Sequence, residues 1–138
     1  MKVWPHVTAV DDWPWAHFTP QEMACQGSGI VMVEPEFMDR LERLRALLGF
    51  PLPVTSGYRS PEHNRAVSKT GYGGPHTTGR AADIQVAGEK YWRVLQHAPS
   101  LGFTGIGAKQ RGPHHRRFIH LDDLTAPDFP RPTGWTYS

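Results

Sequence analysis

Cysteine is almost absent from this chain of 138 residues, because Cys25 is the only one. A single cysteine cannot form an internal disulfide bond, and it excludes every metal site that is built from several cysteines. A chain of this length can bury a hydrophobic core without disulfide bonds. Any metal ion bound here would therefore need histidine or carboxylate ligands.

Long apolar runs are also lacking. The chain opens with residues 1–6, which have none of the apolar length of a secretory signal. No later run approaches the roughly 20 apolar residues that a membrane span requires. We therefore expect synthesis in the cytoplasm without a signal peptide, and we expect no membrane span.

An excess of charge of one sign is missing as well, since 15 Lys and Arg face 13 Asp and Glu for a formal charge of +2. A balance this even does not indicate a nucleic-acid partner. The positive charge is concentrated locally between residues 109 and 117. Such a stretch is typical of a solvated loop, and it also suits the attraction of an anionic polymer.

Glycine (14) and proline (13), in contrast, are plentiful, which predicts many turns and short helices and strands. The length predicts one domain over residues 1–138. Three tryptophans and a phenylalanine fall within residues 1–18. We expect this segment to form an aromatic-rich arm that packs on the body of the domain.

The clearest secondary-structure signal is an apolar stripe in residues 35–48. Its members recur at helical spacing along one face and indicate core packing: Phe37, Leu41, Leu44 and Leu48. Gly49 predicts the end of this helix. Shorter elements are predicted as helices from Thr19, from Ser60 and over 88–97, and as strands over 53–56, 82–86, 103–106 and 117–121. This mixed order predicts an α+β fold with a small, mainly antiparallel sheet flanked by helices.

Three polar residues in separate segments form the candidate chemical site: His76, Asp83 and His120. His76 lies in a glycine-rich loop, and small residues between it and Asp83 allow the chain to fold tightly. His120 lies in an apolar strand, where a polar side chain needs a partner or a function. Two imidazoles and one carboxylate leave a tetrahedral position open for water, as in catalytic zinc sites. Taken singly, each residue is more typical of a core histidine or a turn aspartate.

The segments around these residues resemble the zinc DD-peptidases. These are D-alanyl-D-alanine carboxypeptidases and related peptidoglycan peptidases, which share a fold with the Hedgehog signalling domain. The resemblance rests on three motifs in order: residues 56–64 (SGYRSPEHN), residues 76–83 (HTTGRAAD) and residues 118–122 (FIHLD). It extends from about Phe18 to Asp122, and it implies the Hedgehog/DD-peptidase fold with a zinc ion as cofactor.

The resemblance also implies roles for single residues. His76, Asp83 and His120 correspond to the zinc ligands of the family. Arg59 corresponds to an arginine that holds the carboxylate of the substrate or polarises its carbonyl, a task that suits the planar fork of a guanidinium. Ser56 and Tyr58 are candidate substrate-binding residues in the same motif, although their positions are also typical of residues that shape a turn.

The general base departs from the family pattern. Several relatives have an acidic residue three positions before the last ligand, where this chain has Arg117, which cannot accept a proton. His115 matches a histidine that other relatives have five positions before the ligand. Asp122, two residues after the ligand, is common in a branch of the family and is able to orient a ligand or to take the proton. We rank His115 first as the base and Asp122 second. The remaining alternatives are His114, Asp123 and Glu62.

These patterns predict a zinc peptidase that cuts peptide bonds in bacterial peptidoglycan, as a carboxypeptidase or as an endopeptidase. The expected partner is a peptidoglycan peptide, without nucleic acid, and the chain is expected to be a monomer. Without a signal peptide it would reach the cell wall through lysis or a holin, as a phage or prophage lysin does. The alternative is a non-catalytic, zinc-containing binding module on the same fold, which Arg117 favours.

Overall fold

Short strands alternate with helices along the computed structural model, which describes residues 1–137. The strands are β1 (Lys2–Trp4), β2 (Val31–Val33), β3 (Val54–Ser56), β4 (Ala81–Ile84), β5 (Gly105–Lys109), β6 (Phe118–Asp122) and β7 (Thr133–Thr136). The α-helices are α1 (Pro20–Met23), α2 (Pro35–Leu48), α3 (Pro61–Val67) and α4 (Glu89–His97). Within this described part, no helix has both the length and the apolar character needed to cross a membrane.

Five strands form one sheet, in the order β3-β4-β6-β5-β7. Neighbouring strands are antiparallel, except that β7 runs parallel to β5. Strands β1 and β2 form a separate antiparallel pair. The predicted α+β fold with a small, mainly antiparallel sheet is therefore confirmed.

Helix α2 places its apolar stripe in the core, as predicted. The side chains of Phe37, Leu41 and Leu44 are fully buried. Leu48 packs against the same cluster. Gly49 ends the helix with φ at 75°, in the left-handed region that glycine adopts without the steric cost of a side chain. The predicted helix over residues 35–48 is confirmed.

We expect Leu41→Ala to lower the free energy of unfolding by about 2–5 kcal/mol, because the change leaves a cavity in the core. Leu47→Ala is the matched control on the same helix, since Leu47 is 56% exposed. Its free energy of unfolding should change by about 0.5 kcal/mol or less. Urea denaturation followed by circular dichroism measures both variants. Equal effects would contradict the assignment of this helix face to the core.

The segment up to α1 packs on the body through tryptophans. Trp15 is buried in the core, and Trp13 packs against that core. Helix α1 then begins with a capping box, in which Thr19 Oγ1 accepts the N–H of Glu22 and the Glu22 carboxylate accepts the N–H of Thr19. Glu22 also accepts the N–H of Val54 at 2.9 Å. The cap therefore ties α1 to strand β3.

Two strand boundaries differ from the prediction for a hydrogen-bonding reason. Strand β5 begins at Gly105 rather than at Phe103, because the N–H of Phe103 bonds to the carbonyl that follows α4. Strand β4 ends at Ile84 rather than at residue 86, because its ladder with β6 stops there. The three short strands β1, β2 and β7 were not predicted.

Candidate metal centre

The pairing of β4 with β6 brings two candidate ligands together. Asp83 and His120 lie directly opposite each other in this antiparallel ladder. His76 joins them from the 3-10 turn Pro75–Thr78, which ends at Gly79 with φ at 75°. The structure therefore gathers all three predicted ligands, although they come from separate parts of the chain.

The three side chains meet at one oxygen atom. Nε2 of His76 lies 3.3 Å from Oδ1 of Asp83, and Nδ1 of His120 lies 3.1 Å from the same oxygen. Each residue offers one atom that is able to bind a metal ion, and these three atoms lie within 4.8 Å of one another. All three residues are buried. Ligand atoms of a tetrahedral zinc site with bonds of about 2.0–2.1 Å are about 3.3 Å apart. The donor set therefore fits a divalent metal ion with a further position for water or substrate.

The outer nitrogen of each imidazole is held by an acceptor. Nδ1 of His76 lies 2.8 Å from the carbonyl oxygen of Gly57, and Nε2 of His120 lies 2.7 Å from Oδ2 of Asp122. With a metal ion bound, an acceptor at this position keeps the proton of the neutral imidazole on the outer nitrogen and leaves the inner nitrogen available as a ligand. Both inner nitrogens then face Asp83, as in histidines that bind metal ions.

The charges within the cluster shift the pKa values of its members. Burial alone would raise the pKa of Asp83, but hydrogen bonds from His120 and His76 outweigh it and hold the pKa well below its usual range. Burial alone would lower the pKa of His120, but the bonds to Asp122 and Asp83 raise it. Burial also opposes ionisation of Asp122, yet Arg131 and His120 bring its pKa down to about 2. Both carboxylates are therefore ionised, and each is stabilised by the hydrogen-bonding and positively charged groups that face it.

A cleft of about 270 Å³ opens beside the three ligands. Its other walls include four residues that are aromatic or cationic: Arg59, Phe118, Trp135 and Tyr137. Among the described residues, Asp83 is the only carboxylate in the lining. The cleft therefore combines the metal-binding cluster with one guanidinium and an aromatic wall.

The predicted substrate-binding arginine lies at this cleft in a fixed position. Nε of Arg59 donates to Oγ of Ser56 at 3.1 Å, and Nη1 donates to Oδ1 of Asn64 at 3.3 Å. Nη2 lies 3.7 Å from Oδ2 of Asp83. The guanidinium is thus oriented next to the cluster and is able to bind a carbonyl or carboxylate oxygen there.

Ser56 and Tyr58 have different positions from Arg59. Neither Ser56 nor Tyr58 is among the described residues that line the cleft. Ser56 accepts a hydrogen bond from Arg59, and Tyr58 is buried with its backbone N–H bonded to the carbonyl of Met23 at 3.0 Å. These contacts support the turn that carries Arg59, and direct substrate binding by either residue stays a prediction.

The two highest-ranked bases lie in different places. Asp122 is buried and contacts His120 and Arg131. His115 is exposed in the 3-10 turn His114–Arg116 and borders a separate hollow next to α4. The structure therefore brings Asp122, but not His115, into contact with the cluster. The role of either residue as a base stays a prediction.

The remaining alternatives are also dispersed. Asp123 accepts hydrogen bonds from Arg40 at 3.1 Å and from Arg80 at 3.0 Å. Glu62 and His114 have exposed side chains on α3 and on the loop before β6. As with the higher-ranked candidates, a catalytic role for these residues stays a prediction.

A pair of alanine variants tests His115. Because its side chain lies outside the cleft, we expect His115→Ala to keep kcat for peptide hydrolysis within about threefold, whereas loss of a true general base costs roughly 10²–10⁴-fold. Arg116→Ala is the control, since Arg116 is exposed in the same turn and is not a candidate for the base. A loss of roughly 100-fold or more for His115→Ala alone would support the base assignment.

A comparison with protein families agrees with this geometry. The family model described as Peptidase M15 matches residues 16–122, which include the three candidate ligands and Arg59. The chain belongs to the Peptidase M15 family. This confirms the resemblance to the zinc D-Ala-D-Ala carboxypeptidases, and it makes the chain a metallopeptidase by family. No curated protein and no solved structure gives a significant match to it.

Three residues around the centre of this M15 family member lie beyond the matched segment, and the sequence analysis missed them. Arg131 donates hydrogen bonds to Asp122, and the ring of Trp135 lies 5.1 Å from that of His120, measured between centroids. Tyr137 lines the cleft. No motif marked these residues, because the resemblance ended at Asp122. The available signal was the two-residue spacing of Trp135 and Tyr137, which places both side chains on one face of an extended segment.

Proposed function

We propose that this chain is a zinc peptidase that hydrolyses peptide bonds in bacterial peptidoglycan, with His76, Asp83 and His120 as the zinc ligands. One observation carries the proposal: two inner imidazole nitrogens face one oxygen of Asp83 at 3.1 and 3.3 Å. The outer nitrogens are held by acceptors, which is the arrangement that prepares histidines for a metal ion. Two imidazoles with one carboxylate are a ligand set of catalytic zinc sites.

The chain supplies the groups that position a substrate. A zinc ion, when bound, would polarise the scissile carbonyl and lower the pKa of its water to about 7. Arg59, held by Ser56 and Asn64, would bind the carbonyl oxygen or the terminal carboxylate of a stem peptide. The aromatic side chains of the cleft would exclude bulk water, which strengthens these electrostatic contacts.

The decisive experiment combines metal analysis with product analysis. The purified chain is expected to contain about one zinc ion and to release peptides or single residues from defined muropeptides, as identified by mass spectrometry. Removal of the metal with a chelator should stop the reaction, and added zinc should restore it. Release of a terminal D-residue would identify a carboxypeptidase, and cleavage of a cross-link would identify an endopeptidase. Hydrolysis that persists without metal would contradict the proposal.

A non-catalytic zinc-containing binding module is the second candidate. It is favoured by Arg117 at the position where several relatives have an acid, and by Asp83 being the only carboxylate of the cleft lining among residues 1–137. Nε of Arg117 donates to the carbonyl of Gly112 at 3.0 Å, so this side chain bonds to its own loop. Zymography on cell-wall material separates the two candidates. Bound zinc with no clearing under any condition would favour the module, and clearing that a chelator abolishes would favour the peptidase.

A further inference from the structure

The segment after β6 contributes a buried ion pair next to the metal centre. The side chain of Arg131 is 5% exposed and that of Asp122 is fully buried. Nε of Arg131 donates to Oδ1 of Asp122 at 2.9 Å, and Nη2 donates to Oδ2 at 2.8 Å. Two parallel charge-assisted hydrogen bonds are stronger and more directional than a single bond. They fix the plane of the Asp122 carboxylate.

The same carboxylate holds a candidate ligand. Oδ2 of Asp122 lies 2.7 Å from Nε2 of His120, and Oδ1 accepts the backbone N–H of Leu124 at 3.3 Å. Together with Arg131, these groups contact both oxygens of the Asp122 carboxylate and hold it in one orientation. Asp122 connects Arg131 to His120, whose other nitrogen faces Asp83.

The sheet leaves room for this pair. Gly105 lies opposite Asp122 in the ladder between β5 and β6. A Cβ atom added at Gly105 would overlap both carboxylate oxygens of Asp122 and Nε of Arg131. Glycine weakens a strand, and it occurs where another group approaches the backbone closely. The ion pair is that group here.

An aromatic side chain closes the other side of the pair. The guanidinium carbon of Arg131 lies 5.0 Å from the ring centroid of Trp135, which is within the range of a cation–π contact. The ring of Trp135 also lies 5.1 Å from the ring of His120, measured between centroids. Strand β7 carries Trp135 and is anchored by its parallel pairing with β5. Arg131 and His120 are therefore held against the same indole.

We propose that Arg131 is a positioning residue of the metal centre, which orients Asp122 and through it keeps Nδ1 of His120 directed at the metal. This inference rests on the proposed metal centre and not on the identity of the substrate. A partner behind a metal-binding histidine typically contributes 10–100-fold in metal affinity or activity. An Arg131 that only stabilised the fold would leave the metal affinity of the folded chain unchanged.

The test is the zinc affinity of Arg131→Met, measured by competition with a chromophoric chelator at one fixed pH. We expect zinc binding to weaken by roughly 10–100-fold. The visible absorption of the Co²⁺-substituted chain should also change, because His120 is no longer held in one orientation. Arg93→Met is the matched control, since Arg93 is 55% exposed and pairs only with its helix neighbour Glu89 among the described residues. This control should bind zinc as the unchanged chain does.

A double-mutant cycle tests the route through Asp122. Asp122→Asn should weaken zinc binding by itself, and adding Arg131→Met should cause much less further loss than it does alone, because both changes break one connection. Fully additive losses would overturn the proposed route.

A second variant keeps the test decisive if Arg131→Met does not fold. Arg131→Lys retains the buried positive charge but loses the two-pronged fork, so zinc binding should weaken and the Co²⁺ spectrum should change. Circular dichroism identifies which variants are folded. Unchanged zinc affinity with an unchanged Co²⁺ spectrum in a folded Arg131 variant would overturn the inference. A chain that binds zinc but cleaves no muropeptide would refute the proposed function alone.

Discussion

Replacing His76 with alanine is expected to remove zinc binding and to lower kcat/KM for muropeptides by about 10³-fold or more. His76 supplies one of the two imidazole nitrogens that face Asp83. Without it the cluster offers one imidazole and one carboxylate, which is one ligand fewer than catalytic zinc sites have. A catalytic metal ion typically stabilises the transition state by several kcal/mol, and each 1.36 kcal/mol corresponds to a tenfold change in rate.

Metal content by elemental mass spectrometry and hydrolysis of defined muropeptides measure this effect. His6→Ala serves as the control, because His6 is an exposed histidine outside the cleft lining and is not a candidate for the base. Circular dichroism confirms that both variants are folded. A folded His76→Ala chain that keeps about one zinc ion would contradict the ligand assignment.

Arg59→Ala is expected to lower kcat/KM by roughly 10²–10³-fold while zinc stays bound, which is the range for removing one donor to a developing oxyanion. Arg59 borders the cleft, and its Nη2 lies 3.7 Å from Asp83. The guanidinium is therefore close enough to the cluster to act on a group bound there. Zinc content should be unaffected, because Arg59 supplies no ligand atom.

Arg59→Lys separates the charge of this side chain from its geometry, and Arg65→Ala is the control. Arg59→Lys keeps the positive charge but loses the planar fork, and its kcat/KM should lie between those of the unchanged chain and Arg59→Ala. Arg65→Ala removes an exposed arginine from α3, outside the cleft lining, and should leave kcat/KM unchanged. Steady-state kinetics on one muropeptide compares all three. Full activity of a zinc-loaded Arg59→Ala chain would exclude Arg59 from substrate binding.

The local elements were the most predictable part of the fold. Helix α2 has the predicted bounds, because an apolar stripe at spacings of three and four residues and a glycine after it are both local signals. The helix starts at Thr19 and Ser60 are equally local, since each side chain caps an N–H three residues away. Strand β5 begins two residues later than predicted, because the N–H of Phe103 bonds to the carbonyl of Ala98 and not to a neighbouring strand.

The candidate site was predictable in its members but not in its surroundings. His76, Asp83 and His120 stand in motifs of fixed spacing, and the M15 family match contains all three. Their convergence depends on the register of β4 against β6, and a shift by one residue would turn Asp83 and His120 to opposite faces. No local pattern specifies that register.

The sequence by itself determined the main helix, the class of fold and the three residues that meet at the centre. Only the tertiary structure decided that His115 lies away from the cleft and that Arg131 joins Asp122. The physical reason is how far apart in the sequence the interacting residues lie. Helix stripes and caps depend on neighbours three or four residues apart, whereas the contact between Arg131 and Asp122 depends on how the segment between β6 and β7 folds back on the sheet. This segment leads into β7, whose pairing with β5 is not predicted by any periodic pattern in the sequence.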